Sequence, residues 1–299
     1  MPSVCLCYHA AGNISAALGP AAETALSGPL EGRSIVLTGA AGGLGSIVAA
    51  ALHERGARLL LVDIAAAPLL QLQSRLGCDV LVADVADVAD RATIVATCSR
   101  LRIDPDILVN NAGVEKASEF DSLEPDEIRH ALEVNLLAAV LLTRAFLPSM
   151  RRRGSGHVIN VASMAGIKPV PFNAVYNTAK SGLIAFSMSL SKELAGSNVF
   201  ATVICPSAVS DVGMWARVSE QLSPNRLVES AAVAPDAMVA AVLRAIARRP
   251  RRILVGSPLV RVGALLSALS PAIDRATDRL SRIDAVYRQR IGTDRENRL

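Results

Sequence analysis

The chain has 299 residues, 51% of them hydrophobic, and a formal net charge of +4. This apolar content is ample for a buried core, and the length does not require more than one domain. The positive charge is local: residues 251–299 hold ten arginines and five acids and carry +5, which leaves −1 for the rest of the chain. That basic segment has Tyr287 as its one aromatic residue and no recognition motif, so we expect no nucleic-acid binding.

Residues 1–31 are predicted to be a flexible extension. They are rich in Ala, Gly, Ser and Pro. They lack the basic start of a signal peptide, and their apolar residues are too interrupted for a membrane span. We therefore expect the folded domain to occupy residues 32–256.

Apolar runs that alternate with helical patterns predict an α/β fold, a doubly wound parallel sheet of about seven strands. The strands are expected near 34–38, 58–63, 79–83, 107–110, 156–162, 200–205 and 252–255. Helices should lie between the strands, with the longest near 126–153 and 174–196.

A glycine-rich turn follows the first predicted strand. Residues 38–45 read Thr-Gly-Ala-Ala-Gly-Gly-Leu-Gly and lead into a helical pattern from Ser46 to Arg55. Glycines let the backbone approach a pyrophosphate, and the helix N-terminus supplies N–H groups and a positive dipole. The second strand ends in Asp63, eighteen residues after Gly45 and close to the spacing of a ribose-binding carboxylate. This order predicts a dinucleotide site.

Tyr176, Lys180 and Ser163 form a second candidate group. Residues four apart in a helix lie on one face, so the Lys180 ammonium is expected beside the Tyr176 phenol. A nearby positive charge favours the phenolate, which makes the ring an acid or base near neutral pH. Ser163 lies thirteen residues upstream, where its hydroxyl could hydrogen-bond the same substrate oxygen.

Together these residues resemble one family, the short-chain dehydrogenase/reductases, over residues 33 to about 256. The matching motifs are Thr38, Gly39, Gly43 and Gly45 in the turn, Asp84, Asn110-Asn111-Ala112-Gly113, Asn135, and the trio Ser163, Tyr176 and Lys180. The resemblance implies a Rossmann-type fold. It also implies hydride transfer between a nicotinamide cofactor and a substrate carbon.

The resemblance further implies a role for each matched residue. Tyr176 would give or take the proton at the substrate oxygen, and Ser163 would hold that oxygen. Lys180 would lower the pKa of the tyrosine and bind the nicotinamide ribose, while Asn135 would hold a water that links Lys180 to solvent. Asp84 would lie near the adenine ring. The expected cofactor contacts are Gly39, Gly42, Gly43, Leu44, Gly45, Asp63, Ile64, Asp84, Val85, Asn111, Ala112, Gly113, Tyr176, Lys180, Pro206 and Val209.

Asp63 favours NAD over NADP, because a carboxylate accepts hydrogen bonds from ribose hydroxyls and repels a 2′-phosphate. Ile64 and Ala65 follow it, so no adjacent arginine would bind that phosphate, and Arg58 lies at the far end of the strand. One position departs from the family pattern. After the sixth strand the family usually has Pro-Gly, whereas this chain has Pro206 followed by Ser207, whose Cβ disfavours a positive φ.

The cysteines and histidines predict no metal site. The five cysteines are scattered, and no Cys/His set has ligand spacing: Cys5, Cys7, Cys78, Cys98 and Cys205. We expect His53, His130 and His157 to be packing or surface residues. Free thiols suit a reducing compartment, and we expect a cytoplasmic protein.

Residues 257–299 predict a basic amphipathic helical tail. Its apolar residues recur at steps of four and three on one helical face: Val262, Leu266, Leu269, Ile273, Ala276, Leu280, Ile283 and Tyr287. Pro271 should divide the tail into two helices, with Ser270 as N-cap. Three alternatives stay open. The stripe docks on its own domain or covers the substrate cleft, lies on an anionic membrane, or pairs with another subunit.

The segment 207–235 is expected to form the substrate lid. Its apolar residues suit a hydrophobic substrate as well as an ordinary helix core: Val212, Met214, Trp215, Val218 and Leu222. We expect an NAD-dependent oxidoreductase that acts on an apolar secondary alcohol or ketone, lipid-, steroid- or retinoid-like, and assembles as a dimer or tetramer. The alternatives are an NAD-binding regulator or scaffold without catalysis, and a lipid dehydrogenase attached to a membrane surface.

Overall fold

The computed structural model describes residues 30–210, 212 and 232–296. Seven parallel strands form one sheet in the order β3-β2-β1-β4-β5-β6-β7. The strands are β1 (Ser34–Thr38), β2 (Arg58–Asp63), β3 (Asp79–Val82), β4 (Ile107–Asn110), β5 (Gly156–Val161), β6 (Val199–Pro206) and β7 (Arg252–Val255). All seven predicted strands are confirmed. The order reverses between β1 and β4, and ligands of such sheets bind at the carboxyl ends of the strands at this switch point.

Helices cover both faces of the sheet in the described part of the chain. They are α1 (Gly43–His53), α2 (Ala66–Leu76), α3 (Val88–Arg100), α4 (Pro125–Leu132), α5 (Ala138–Arg153), α6 (Ala174–Glu193), α7 (Pro235–Arg248), α8 (Pro258–Ser267), α9 (Pro271–Ser281) and α10 (Ile283–Glu296). Side chains alternate between two cores: Ile35 and Leu37 pack beneath α1, α2 and α7, while Val36 packs beneath α3, α5 and α6. This burial on both faces explains why the strands read as continuous apolar runs.

The predicted helix at 126–153 is confirmed in extent, but it is not a continuous α-helix. A π-helical turn, Glu133–Leu137, separates α4 from α5. The whole stretch Pro125–Arg153 is long and apolar enough to cross a membrane by length and composition. Here Leu142, Phe146 and Met150 are buried against the sheet, so it serves as a core helix.

Two predicted segments lie largely outside the described residues. These are the extension, up to residue 29, and most of the lid, with Met214, Trp215, Val218 and Leu222. Leu30 belongs to the domain, because its side chain is buried and its N–H donates to the Arg55 carbonyl at 2.7 Å.

The tail folds as helices that return to the domain. Ser270 caps α9, its Oγ accepting from the Ala272 N–H at 3.3 Å, and Pro271 stands in the first turn, as predicted. A second break at Arg282, with φ +52°, begins α10. Ala264 of α8 and Tyr287 of α10 are buried, so the tail packs against the described domain at both ends.

His157 of β5 is buried as a neutral ring. Thr202 donates its hydroxyl proton to the Pro250 carbonyl at 2.5 Å and therefore accepts from His157 Nε2 at 2.9 Å. Burial, and to a smaller extent the charge of Arg249, lowers the pKa of His157 to about 3.

This buried histidine should make the protein sensitive to acid. Because the pKa of His157 in the fold lies below its unfolded value, the unfolded chain binds the extra proton first as the pH falls. The free energy of unfolding should therefore decrease below pH 6.5 by about 1.4 kcal/mol per pH unit from this group alone. Urea titrations between pH 7 and pH 4 would measure it, with His157→Gln as comparison. An equal slope in both proteins would contradict the assignment.

Candidate active site

The predicted site segments gather at one edge of the sheet, because each begins where a parallel strand ends. Thr38 ends β1, Asp63 ends β2, Asp84 follows β3, Asn110 ends β4 and Pro206 ends β6. Ser163 follows β5 at the same edge. The topology alone thus brings together motifs that are far apart in sequence.

The glycine turn between β1 and α1 needs glycine for two close approaches. Gly39 has φ +65°, and a Cβ there would come within 2.7 Å of Ala112 Cα. A Cβ on Gly45 would overlap the carbonyl oxygen of Gly39. A Cβ on Gly42, by contrast, would make only an ordinary contact of 3.5 Å with the Gly39 carbonyl oxygen, and Gly42 caps α1 without any side-chain hydrogen bond or acid in the first turn. The N–H groups of Gly43 and Leu44 therefore begin an uncapped helix suited to a phosphate.

The turn after β4 is clamped to the glycine turn. Asn111 Nδ2 donates to the carbonyls of Thr38 at 3.2 Å and Gly39 at 3.0 Å. Thr38 Oγ1 accepts from the N–H groups of Asn111 and Ala112, at 3.1 and 3.2 Å. Both amide hydrogens of Asn111 are thus used within the protein, so its side chain positions the turn. The Thr38 hydroxyl is a positioning group that the motif contained but that we did not predict.

Asp63 is held by backbone donors on both sides. Its Oδ2 accepts from the Ala41 N–H at 2.8 Å, and its Oδ1 accepts from the Ala65 N–H at 2.9 Å. A carboxylate has about four lone-pair sites, so both oxygens keep acceptor capacity for ribose hydroxyls. Ile64 beside it is 64% exposed and free to cover an adenine ring. Arg58 lies at the opposite end of β2, where its guanidinium donates to the Leu101 carbonyl.

Asp84 and Val85 lie one strand further along the same edge. Asp84 Oδ1 accepts from the Ala86 N–H at 2.8 Å, and its own N–H donates to Asp90 Oδ2 at 2.7 Å. Val85 is buried, and its carbonyl accepts from the Arg91 guanidinium at 2.7 Å. These hydrogen bonds fix the loop after β3 at the carboxyl edge of the sheet, and its contact with an adenine ring stays a prediction.

Tyr176 and Lys180 lie one turn apart on α6, as predicted. Lys180 Nζ stands 5.6 Å from the centroid of the Tyr176 ring and donates to the Val161 carbonyl at 3.1 Å. Lys180 is 3% exposed, and this burial lowers its pKa to about 8, although Cys205 and Glu115 nearby act in the opposite direction. The pair places a buried cation next to a phenol, an arrangement that favours the phenolate.

Asn135 lies in the π-helical turn and faces the same space as Lys180. Its Nδ2 donates to the carbonyls of Val114 and Ala131, at 2.8 and 2.9 Å, and its Oδ1 accepts from the Val114 N–H at 3.2 Å. A Cβ on Gly113 would come within 2.9 Å of Asn135 Oδ1 and 3.4 Å of Lys180 Nζ. The amide oxygen of Asn135 and the ammonium of Lys180 therefore both border Gly113.

Ser163 stands at the start of a 3₁₀ turn that packs on α6. Its Oγ accepts from the Ala165 N–H at 3.1 Å. Gly166 in this turn lies so close to α6 that a Cβ would come within 2.7 Å of the Lys180 carbonyl carbon, and the Gly166 carbonyl accepts from Ser181 Oγ at 2.9 Å. This contact holds Ser163 beside the helix that carries Tyr176.

The loop after β6 resolves the expected strain at Ser207. This residue does not have a positive φ, so its Cβ is tolerated. Its N–H donates to the Val255 carbonyl at 2.8 Å, while its Oγ is buried with no hydrogen-bond partner among the described residues. Val209 pairs with Val233, which holds the beginning of the lid. The hydroxyl lies beside Gly256, where a Cβ would come within 3.4 Å of Ser207 Oγ.

The tail packs behind the segment that begins at Ser163. The sequence had left the docking partner of the tail undecided. Lys168 Nζ donates to Asp274 at 2.9 Å and to Asp278 at 2.5 Å, both on α9. Burial lowers the pKa of Lys168, but the two hydrogen bonds outweigh it and leave that pKa above its ordinary value. The Arg288 guanidinium of α10 stands 5.1 Å from the centre of the Phe172 ring. The segment from Ser163 to Phe172 is therefore backed by α9 and α10.

The cysteines offer no alternative chemistry in the described residues. Cys78, Cys98 and Cys205 are unpaired, and no group of three or more His, Cys, Asp or Glu could hold a metal ion there. Burial raises the pKa of Cys98 to about 11 and that of Cys205 to about 12. Both thiols are thus poor nucleophiles.

Comparisons with known proteins point in one direction. A family model for short chain dehydrogenase matches residues 33–223. Ketoacyl reductase HetN of Nostoc sp. is 34% identical over 260 residues, which cover 85% of this chain and 89% of HetN. Human estradiol 17-beta-dehydrogenase 11 is 33% identical over 205 residues, covering 66% of this chain and 68% of the human protein.

Solved structures agree in fold. A variant of actinorhodin polyketide ketoreductase, solved with NADPH, has a TM-score of 0.69 and 26% identity, and the match covers 74% of this chain and 94% of the ketoreductase. A 4-hydroxyisoleucine dehydrogenase complexed with NADH has a TM-score of 0.68 over 75% of this chain and 96% of its own. At 20% identity the second likeness concerns the fold alone.

The burial of the Lys180 ammonium is expected to lower the stability of the fold. Since its pKa in the fold, about 8, lies below the unfolded value, the charged form destabilises the fold below pH 8, and this penalty fades as the pH rises towards 10.5. Lys180→Met should therefore raise the free energy of unfolding at pH 7 by up to about 3 kcal/mol. The gain should shrink at pH 10.

Urea denaturation of the protein without cofactor, at both pH values, measures this effect. Lys192→Met is the matched control, because Lys192 is exposed on the same helix. A Lys180→Met variant no more stable than wild type at pH 7 would show that the ammonium is well compensated in the fold.

Proposed function

We infer the activity from a premise that the matches provide: the chain belongs to the short-chain dehydrogenase family. It is an NAD(P)-dependent oxidoreductase that acts on a small-molecule substrate. Beyond this, we propose that it interconverts an apolar secondary alcohol and its ketone with NAD(H), and that Tyr176 is the acid/base. The observation that carries the proposal is the buried Lys180 ammonium one helical turn from the phenol.

The residues fit a nicotinamide dinucleotide along the carboxyl edge of the sheet. The uncapped N-terminus of α1 at Gly42 would hold the pyrophosphate, and Asp63 the adenine ribose. The loop after β6, with Pro206 and Val209, would border the nicotinamide end. The bound nicotinamide supplies the acceptor or donor of hydride.

The protein's own residues manage one proton. In alcohol oxidation the Tyr176 phenolate takes the hydroxyl proton, and in ketone reduction the phenol returns it. Ser163 Oγ accepts from the Ala165 N–H, so its own proton is available to donate to the substrate oxygen. The Lys180 ammonium stabilises the phenolate, and the space between Lys180 and Asn135 at Gly113 gives a path for exchange with water.

The preference for an apolar substrate rests on exposed apolar side chains in the segment after β4. Val114, next to Asn135, is 37% exposed, and Phe120 in the 3₁₀ turn Phe120–Ser122 is 61% exposed. Ser118 N–H donates to the Phe172 carbonyl at 2.8 Å, which joins this segment to the one behind Ser163. The names of two relatives, a ketoacyl reductase and an estradiol dehydrogenase, refer to substrates with large apolar parts. These observations support a hydrophobic substrate here.

We also propose a homo-oligomer in the cytoplasm. A groove of about 500 Å³ lies between α5 and α6 and is lined by apolar Val140, Leu147 and Phe186 with charged Arg144 and Glu193. Two long helices with such a groove offer a self-complementary surface for a second copy. The unpaired cysteines of the described residues suit a reducing compartment.

Tyr176→Phe tests the acid/base assignment. It removes the hydroxyl but keeps the ring, so kcat should fall about 1000-fold in an assay of NADH absorbance with secondary alcohols, including steroids and long-chain alcohols. NADH affinity, measured by fluorescence titration, should change little. Tyr287→Phe makes the same change in α10 and should keep its turnover. Full activity in Tyr176→Phe would reject the assignment.

Asp63→Ser tests the choice of cofactor. Removing the carboxylate should lower kcat/KM for NAD⁺ and raise it for NADP⁺, shifting their ratio by about 100-fold, because like charges in contact cost several kcal/mol. Asp79→Ser is the matched control, since Asp79 begins β3 at the opposite edge of the sheet. A wild-type enzyme that prefers NADP⁺ would overturn the proposed NAD preference.

A further inference from the structure

The tail docks with the face opposite to the one its sequence pattern suggests. In α9, Asp274, Thr277 and Asp278 turn towards the domain and α8: the two acids bind Lys168, and Thr277 Oγ1 lies 3.1 Å from Ser267 Oγ. The apolar positions of the same helix, Ile273 and Leu280, are 37% and 73% exposed. The polar side of this amphipathic helix thus faces the domain and is partly covered by it, while its apolar side faces outward.

The helix α8 also exposes apolar side chains, although its domain-facing side includes buried Ala264 together with Ser267. Leu259 in α8 is 77% exposed, and Leu269 in the turn after α8 is 78% exposed. We call the exposed large apolar residues of α8, α9 and the turn between them the outer face: Leu259, Val262, Leu265, Leu266, Leu269, Ile273 and Leu280. Single exposed apolar side chains are common, but seven in a short segment indicate a surface with a binding role.

Arginines border the outer face. A basin of about 410 Å³ is lined by Arg244, Arg252 and Arg261 together with Val262 and Leu265. None of these arginines forms an ion pair with a described residue, and no acid lines the basin. Guanidinium groups with apolar neighbours match the phosphate and acyl parts of a phospholipid.

The acidic and basic residues of α9 lie on different sides of the helix. Its acids are turned inward to Lys168, while Arg275 and Arg279 are exposed. The solvent side of α9 is therefore apolar and positive. A two-fold contact through this face would bring the arginines of one protomer close to the same arginines of its partner, and their like charges would repel. An anionic surface has the complementary charge.

We propose that the outer face lies on an anionic phospholipid membrane, with leucine side chains in the acyl boundary and the arginines at lipid phosphates. The helices would lie in the plane of the interface, because each exposes one apolar side only. Binding would combine apolar burial with about 1 kcal/mol for each arginine near the surface.

Vesicle flotation of the full chain with NADH tests the proposal. Wild type should float with phosphatidylcholine vesicles that contain phosphatidylglycerol, should stay unbound with phosphatidylcholine alone, and should release at high salt. Leu269→Ser/Leu280→Ser should weaken binding about tenfold through lost apolar burial. Arg275→Glu/Arg279→Glu should weaken it at least about 25-fold, which is the loss of about 1 kcal/mol per arginine converted to a binding constant.

Matched controls change the same residue types elsewhere. Leu70 on α2 and Val88 at the start of α3 are 50% and 74% exposed, so Leu70→Ser/Val88→Ser should bind vesicles like wild type. Arg75→Glu/Arg100→Glu matches the charge change on exposed ends of α2 and α3. Thermal unfolding of every variant confirms that the exposed substitutions leave the fold intact.

Three results would overturn the proposal. Wild type does not float with the anionic vesicles, the outer-face variants float as well as wild type, or light scattering shows that Leu269→Ser/Leu280→Ser dissociates an oligomer without changing vesicle binding. The last result would assign the face to a second copy of the chain. The test does not depend on substrate identity, so it is independent of the proposed reaction.

Discussion

The burial of the Lys180 ammonium is the constraint on which the rest of the site depends. A charge with 3% exposure is costly unless its surroundings are polar, and here the Val161 carbonyl and the nearby Asn135 amide oxygen supply that polarity. Both come from other elements, the end of β5 and the π-helical turn. Gly113 keeps the space between them open. Four segments therefore meet around this lysine, namely α6, the end of β5, the π-helical turn and Gly113, and its lowered pKa indicates that the compensation is incomplete.

The sequence was informative where structure is local. Parallel strands buried on both faces read as apolar runs, and the i, i+4 spacing of Tyr176 and Lys180 sets their distance on α6. The π-helical turn was not predicted, because one additional residue per turn hardly changes the apolar period of a long helix. The turn also contains a contact that is distant in sequence: the Asn135 amide pairs with the Val114 backbone, twenty-one residues away. Such pairings leave no periodic signal.

Asn111 and Ser207 illustrate that a motif can be matched correctly without determining which atoms of its residues contact a cofactor. Both amide hydrogens of Asn111 are used on Thr38 and Gly39, more than seventy residues earlier, so any cofactor contact there falls to the backbone. Ser207 departs from the family's glycine, yet its φ is not positive and its buried hydroxyl adds a donor. Which contacts these residues make with a cofactor stays a prediction. Their local conformation depends on pairing across the sheet, which a motif does not encode.

The rotation of α9 was beyond the reach of sequence for the same reason, although its apolar stripe was plain. The stripe defines a face, but the partner of the opposite face is Lys168, more than a hundred residues away. Asp274 and Asp278 are about two-fifths exposed, so each ion pair contributes less than about 1 kcal/mol. The energy of docking must then come from apolar burial at the two ends, Ala264 in α8 and Val286 with Tyr287 in α10. The ion pairs instead set the rotation of α9 about its axis. Two acids one turn apart fix which side of the helix faces the domain, and this rotation turns Ile273 and Leu280 outward.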